Sequence, residues 1–181
     1  MSELVRLKDL VNNILMAAQL ENSKFHLHTT EVNLSEIANE TFQKFITPRH
    51  LGERFNCDVD EEVYIEGDAI GLETVITNLL SNAFKYSGPE GEVTLKVKTD
   101  KEKVILSVSD NGQGISDEDK KHLFKRFYRS GDEQTRKSKG TGLGLFIVKN
   151  LLNLMKGEIV VSDNQPKGTI FEITFIKYNA I

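Results

Sequence analysis

Four segments between Asn78 and Leu145 bring together the residue types that a purine nucleotide and its phosphates require. They are NLLSNAFKYS (78–87), DNGQG (110–114), LFKRFYR (123–129) and GTGLGL (140–145). Asn78 and Asn82 are four apart, with Lys85 and Tyr86 one turn further on, so on a helix they share a face. Val75, Ile76, Leu79, Leu80 and Ala83 fall on the opposite face and must be core. A hard ion such as magnesium takes oxygen ligands and keeps several waters, so one or two amide oxygens plus phosphate oxygens suffice to hold it. Lys85 is placed to meet phosphate as a point charge. The asparagines alone would fit a solvated helix face better than a metal site. The segments that follow change that balance.

Asp110 ends an apolar strand carrying Val104, Ile105, Leu106 and Val108. A carboxylate at a strand end beside a pocket can accept the adenine amino hydrogens, a donor that guanine lacks at that position. Gly112 and Gly114 let the backbone approach the base with no side chain in the way. The same Asp-Asn-Gly run is also a strong turn signal. Phe124 and Phe127, three apart and flanked by Lys125, Arg126 and Arg129, admit two readings. One is a small satellite core with a basic rim. The other is an aromatic wedge that pins a polar flap over 130–139, bringing Arg129, Arg136, Lys137 and Lys139 near a triphosphate. Gly140-Thr141-Gly142-Leu143-Gly144-Leu145 runs straight into a helix, where unpaired amides and the macrodipole favour an anion. Neither G-x-x-x-x-G-K-[ST] nor a strand followed by G-x-G-x-x-G is present, and the protein-kinase catalytic loop is missing. The pattern is that of ATP held by a different nucleotide fold.

Bulk properties bound what such a site can belong to. With 181 residues there is room for one domain and a short appendage. A net charge of -4 gives no positive field for sequence-independent nucleic-acid binding. Cys57 is the single cysteine, which excludes an internal disulfide or a multi-cysteine zinc cage and fits a reducing compartment. No apolar run is long enough to span a bilayer, so the expectation is a cytoplasmic chain without membrane contact of its own.

The elements that must position the site follow from periodicity. Glu3 to Glu21 reads as a helix with Leu4, Leu7, Val11, Ile14 and Ala18 forming a narrow heptad-like seam. That seam favours another helix as partner, with packing on its own domain as the alternative. Lys24 to Thr30 alternates as a short strand. Asn33 and Glu36 form a capping-box pattern that opens a helix carrying Ile37, Phe42 and Phe45 inward and ending before Pro48. Strands follow around 54–59 and 63–65, and Asp68 caps the helix of the first segment. Two hairpins are expected, 92–99 with 104–110 and 157–162 with 168–175, with a short helix opened by Ser116 and a longer one over 143–155. The predicted class is α+β, a two-layer sandwich of a mixed sheet with helices on one face, plus the long N-terminal helix.

The four segments resemble the N, G1, F and G2 boxes of sensor histidine kinases, within the wider ATPase/kinase superfamily of the Bergerat fold. Gly168-Thr169 is similar to that family's last glycine box. The likeness spans essentially the whole chain. It implies residues 1–23 as the second helix of a dimerisation and phosphoacceptor hairpin, and 24–181 as the ATP-binding catalytic domain. It implies Asn82 as the magnesium ligand, Asp110 as the adenine contact, and Asn78, Lys85, Tyr86, Arg129 and Thr169 around the nucleotide. Gly112, Gly114, Gly140, Thr141, Gly142, Leu143 and Gly144 would shape its loops. Met155-Lys156-Gly157 departs from a family pattern that often has two glycines.

Topoisomerases and heat-shock chaperones of the superfamily place a glutamate four residues before the metal-binding asparagine. Here that residue is Asn78, which is no base at neutral pH. The implied chemistry is therefore transfer of the γ-phosphoryl group rather than its hydrolysis, with Asn78 and Lys85 as the residues nearest the reaction. None of His26, His28, His50 and His122 sits on a helix before an acidic residue, as the family's acceptor does. The expectation is a chain that begins inside the hairpin and lacks its first helix. The partners implied are that hairpin, a response regulator, and a second copy through the N-terminal helix; a membrane anchor in the parent stays open.

Overall fold

Three helix starts are made by the side chains expected of them. Asn33 Oδ1 accepts the Glu36 amide at 3.2 Å, Asp68 Oδ1 that of Gly71 at 2.7 Å, and Ser116 Oγ that of Asp119 at 3.1 Å. They open α2 (Leu34–Ile46), α3 (Ala69–Ser87) and α4 (Asp117–Lys120). The structure is a computed structural model and describes residues 3–22, 25–49, 51–129 and 140–178.

Strands β2 (Phe55–Val59), β4 (Val93–Asp100), β5 (Lys103–Asp110), β6 (Glu158–Asp163) and β7 (Thr169–Ile176) form one sheet in the order β2-β4-β5-β7-β6. The β2–β4 pair is parallel and the others antiparallel, so the sheet is mixed as expected. Alternation then decides what faces inward. Leu95 and Val97, Leu106 and Val108, and Phe171 and Ile173 form the buried rows. Over them lie α3, with Leu72, Val75, Ile76, Leu79, Leu80 and Ala83 buried, and α5 (Gly144–Leu154), with Ile147, Val148, Leu151 and Leu152 buried. Asp110 and Thr169 are register partners at the end of the same inward rows, and the pleat that fills the core thereby also buries a carboxylate.

The segment before α2 differs from expectation. Residues 25–29 form no strand; the ladder is β1 (Thr30–Asn33) on β3 (Tyr64–Gly67), a separate two-stranded antiparallel sheet. Phe25 and Leu27 alternate because they pack half-buried against the core, while the His28 amide donates to Asp68 Oδ2 at 2.7 Å instead of to a neighbouring strand. Lys24 lies outside the described residues.

α1 covers Glu3–Glu21 and packs in part on its own domain. Ala17 and Leu20 are buried where it packs on α5, and Glu21 Oε2 pairs with an Arg126 guanidinium nitrogen at 2.6 Å. The seam itself stays open, with Leu7 58% and Val11 46% exposed and Ile14 beside them. Leu4's side chain is outside the description.

At the C-terminus of α5 the chain turns through Lys156 at φ 56°, with the Gly157 amide donating to Leu152 O at 2.8 Å. A non-glycine residue in that left-handed position costs free energy, which accounts for glycine being usual there. Lys156→Gly is expected to stabilise the fold by about 1 kcal/mol, read as a higher denaturant midpoint at unchanged slope.

Candidate nucleotide site

One cleft of about 1230 Å³ brings most of the sequence-derived candidates together: Asn78, Asn82, Lys85 and Tyr86 from α3, then Asp110, Gly114, Arg129, residues 140–144 and Thr169. Gly112 does not line it, but a side-chain carbon there would collide with Tyr86 O and stand 2.8 Å from Asp110 Oδ1. Arg136, Lys137 and Lys139 lie outside the described residues.

At one end of the cleft, Asp110 is 5% exposed and its Oδ1 accepts the Gly112 amide at 2.8 Å. Burial pushes its carboxyl above the usual carboxylate range, opposed by main-chain bonds from Gly112 and Thr169. A carboxylate lodged in an apolar wall with acceptor capacity left over suits an amino donor on a flat base. The turn after Asp110 is tied back by a reciprocal pair: the Glu92 amide to Asn111 Oδ1 at 2.8 Å, and the Asn111 amide to Glu92 O at 3.3 Å. The turn reading of Asp-Asn-Gly holds, and the turn places the Asp110 carboxylate on the cleft. Asn164, which the sequence offered only as part of a hairpin turn, donates from Nδ2 to Asp110 O at 2.8 Å.

On α3 the two asparagines separate in role. Asn78 Nδ2 donates to Thr74 O at 2.9 Å, and its Oδ1 faces Gly144, where a side-chain carbon would stand 2.6 Å away. Its Nδ2 is thus occupied within α3, while its Oδ1 lies against the start of α5. Asn82 is half-buried one turn on and lines the cleft. Among the described residues no three of His, Cys, Asp and Glu cluster for a metal. An amide oxygen plus phosphates is the donor set a magnesium ion would find here, and it fits that ion's preference for oxygen and retained water. Lys85 Nζ donates to Tyr86 Oη at 3.0 Å and would stand 2.7 Å from a side-chain carbon at Gly140, so the ammonium reaches the glycine loop.

The loop itself presents fewer amides than a bare run from Gly140 would. The Leu143 amide donates to Thr141 Oγ1 at 3.2 Å, a local turn that uses one donor. The first helical bond is Ile147 N to Leu143 O, and no side chain caps α5. The amides of Gly144, Leu145 and Phe146 are thus the first-turn donors left for an anion. Gly142, at φ 71°, lies so close to the 127–128 backbone that a side-chain carbon would stand 2.6 Å from Phe127 C.

The two phenylalanines also part company. Phe124 joins the core, whereas Phe127 is 57% exposed at φ 61° with the Arg126 guanidinium 4.6 Å from its ring centre. Tyr128, unnoticed in the sequence, anchors the segment through Oη to Asp119 Oδ1 at 2.7 Å. Among the histidines, His122 packs edge-on against Tyr128, His26 and His28 lie in the segment before β1, and His50 is outside the description.

Residues 67–179 match the family model described as histidine kinase-, DNA gyrase B-, and HSP90-like ATPase. The sensor protein CiaH of Streptococcus pneumoniae is 38% identical over 156 residues, covering 86% of this chain and 32% of CiaH. Histidine kinase P4 of Formosa agariphila is 34% identical over 174 residues, covering 93% of this chain and 13% of that protein. This chain therefore spans about a third or less of these curated relatives. Among solved structures, full-length ShkA in complex with AMPPNP is 25% identical, with a TM-score of 0.77 over 97% of this chain and 37% of that one. The architecture is the Bergerat fold of histidine kinase catalytic domains. No helix among the described residues is long and apolar enough to cross a membrane.

Proposed function

Because the chain belongs to the histidine kinase-, DNA gyrase B-, and HSP90-like ATPase family, we propose that it is the catalytic portion of a two-component sensor histidine kinase. It binds Mg-ATP and passes the γ-phosphoryl group to a histidine on a helical hairpin, from which a response-regulator aspartate receives it. Residues 1–23 supply the hairpin's second helix and 24–181 the catalytic domain. One observation carries the reading: the cleft that begins at Asp110 continues past the glycine loop and along α3 to Leu7, Asn13 and Ile14 of α1. Its phosphate end opens toward the helix that would stand beside the acceptor.

Asn78 supports transfer over hydrolysis. Its carboxamide has no basic nitrogen and is bonded to Thr74 O, so it cannot take a proton from water. Phosphoryl transfer rests mostly on positioning and charge neutralisation, which Lys85 and the open α5 amides supply. Asn82 would hold magnesium, whose contribution when bound is to offset charge on the phosphate oxygens. The exposed Leu7–Val11–Ile14 seam supports a homodimer through the hairpin helix.

Asn82→Ala is expected to cost roughly tenfold in ATP affinity with magnesium present and little without it. Calorimetric titration with and without chelator checks this; an unchanged affinity with magnesium would remove the metal assignment. The reading as a whole is tested by mixing the chain with a separate hairpin bearing the acceptor histidine and ATP labelled at the γ position. Acid-labile label on the hairpin is expected. Measurable ATP binding with no label transferred would contradict catalytic competence.

A further inference from the structure

We infer that Asn164 is a positioning residue for recognition of the adenine amino group, acting through the main chain of Asp110. The inference rests on the ATP-binding reading above. Asn164 belongs to the turn between β6 and β7, outside the four glycine-bearing segments. Its Nδ2 donates to Asp110 O at 2.8 Å, across 54 residues of sequence, and its own amide donates to Gly168 O at 3.1 Å. One side chain therefore fastens the hairpin turn to the backbone of the residue whose carboxylate faces the base.

The contact is close enough to set a height. Gly168, at φ 118°, approaches Asp110 O so nearly that any side-chain carbon there would collide with it. Beyond it, Thr169 is the register partner of Asp110 and is buried beside it. Asp110 lies at the last rung of β5, and the following peptide is held by the Asn111 amide to Glu92 O at 3.3 Å on one side and by Asn164 on the other. With the Asn164 bond the Asp110 carbonyl points outward to the turn, and the carboxylate points inward to the cleft. Without it, that peptide is held from the Glu92 side alone, through the Asn111 amide, and the depth and direction of the carboxylate are less firmly set.

A purely structural turn residue would change stability but not which base is preferred. The test compares the wild type with Asn164→Ala and with Asn164→Asp, which keeps the size but replaces the donor with an acceptor facing the Asp110 carbonyl. Each is titrated with ATP and with purine riboside triphosphate, which lacks the amino group. The wild type is expected to prefer ATP. Both variants are expected to bind ATP about tenfold more weakly while the amino-free analogue is held as before, so that the preference collapses. Thermal unfolding confirms that each variant is folded. A folded variant with the wild-type preference intact would overturn the role of Asn164 and leave the nucleotide site standing. A wild type with no preference, or no binding, would overturn the ATP reading itself.

Discussion

Asp110→Asn is expected to weaken ATP binding by about 100-fold and, at the same time, to raise the thermal stability of the ligand-free chain. The two effects share one cause. Asp110 ends a row of core-facing residues on β5, so its carboxylate is removed from water by the same alternation that buries Leu106 and Val108. A charged acceptor held there makes a stronger bond to an amino donor than a neutral amide would. The amide also brings an NH2 group that cannot accept. The cost falls on the empty protein. Burial holds the carboxyl above its ordinary range, so the folded state binds its proton more readily than the unfolded chain does. Stability contributed by this group therefore falls as pH rises from the unfolded value through the folded one, and the loss is complete above the folded value. Asparagine removes that loss. Melting curves should show the variant ahead at neutral pH, with its advantage shrinking as acid protonates the wild-type carboxyl in both states. Adenosine and ATP should lose affinity together, because the damage is at the base.

Gly142→Ala should produce the complementary pattern: about 30-fold weaker ATP, with adenosine affinity unchanged. Gly142 sits at φ 71° with the Phe127–Tyr128 backbone against it, so alanine meets both a disfavoured dihedral and a clash. The loop must lift, and it carries with it the Gly144, Leu145 and Phe146 amides that open α5. The Asp110 end of the cleft, formed by a different strand and turn, is left alone. Competition binding with adenosine, ADP and ATP reads the split directly. Equal losses for adenosine and ATP would mean that the loop does not serve the phosphates.

Local chemistry was the legible part of this fold. Asn33, Asp68 and Ser116 announce their helices because a cap is decided within three residues, and the structure makes all three bonds. The α3 face was equally plain, since period and burial coincide over nineteen residues. What failed to show was whatever depends on distant partners. Phe25 and Leu27 alternate like a strand, yet their regularity comes from packing, and the ladder begins at Thr30. On α1 two apolar stripes compete; the sequence marks the seam through Leu7 and Val11, while α5 covers Ala17 and Leu20. That most of the candidate residues share one cleft was legible by residue type, but the bonds each one makes were not. Asn78 and Asn82 are equivalent by spacing alone, and in the structure the Thr74 carbonyl and the nearness of Gly144 separate them. Asn164 carried no signal beyond that of a polar turn residue, because the strand end it serves lies 54 positions away.

The most direct measurement is a titration of Mg-ATP into the nitrogen-labelled chain, followed by NMR. If a single nucleotide is held by α3, the β5 end and the α5 start, the Asn82 side-chain amide and the Gly112 and Gly144 main-chain amides should shift along one shared saturating curve. Separate curves for the three groups, or saturation that leaves them unmoved, would contradict a common site.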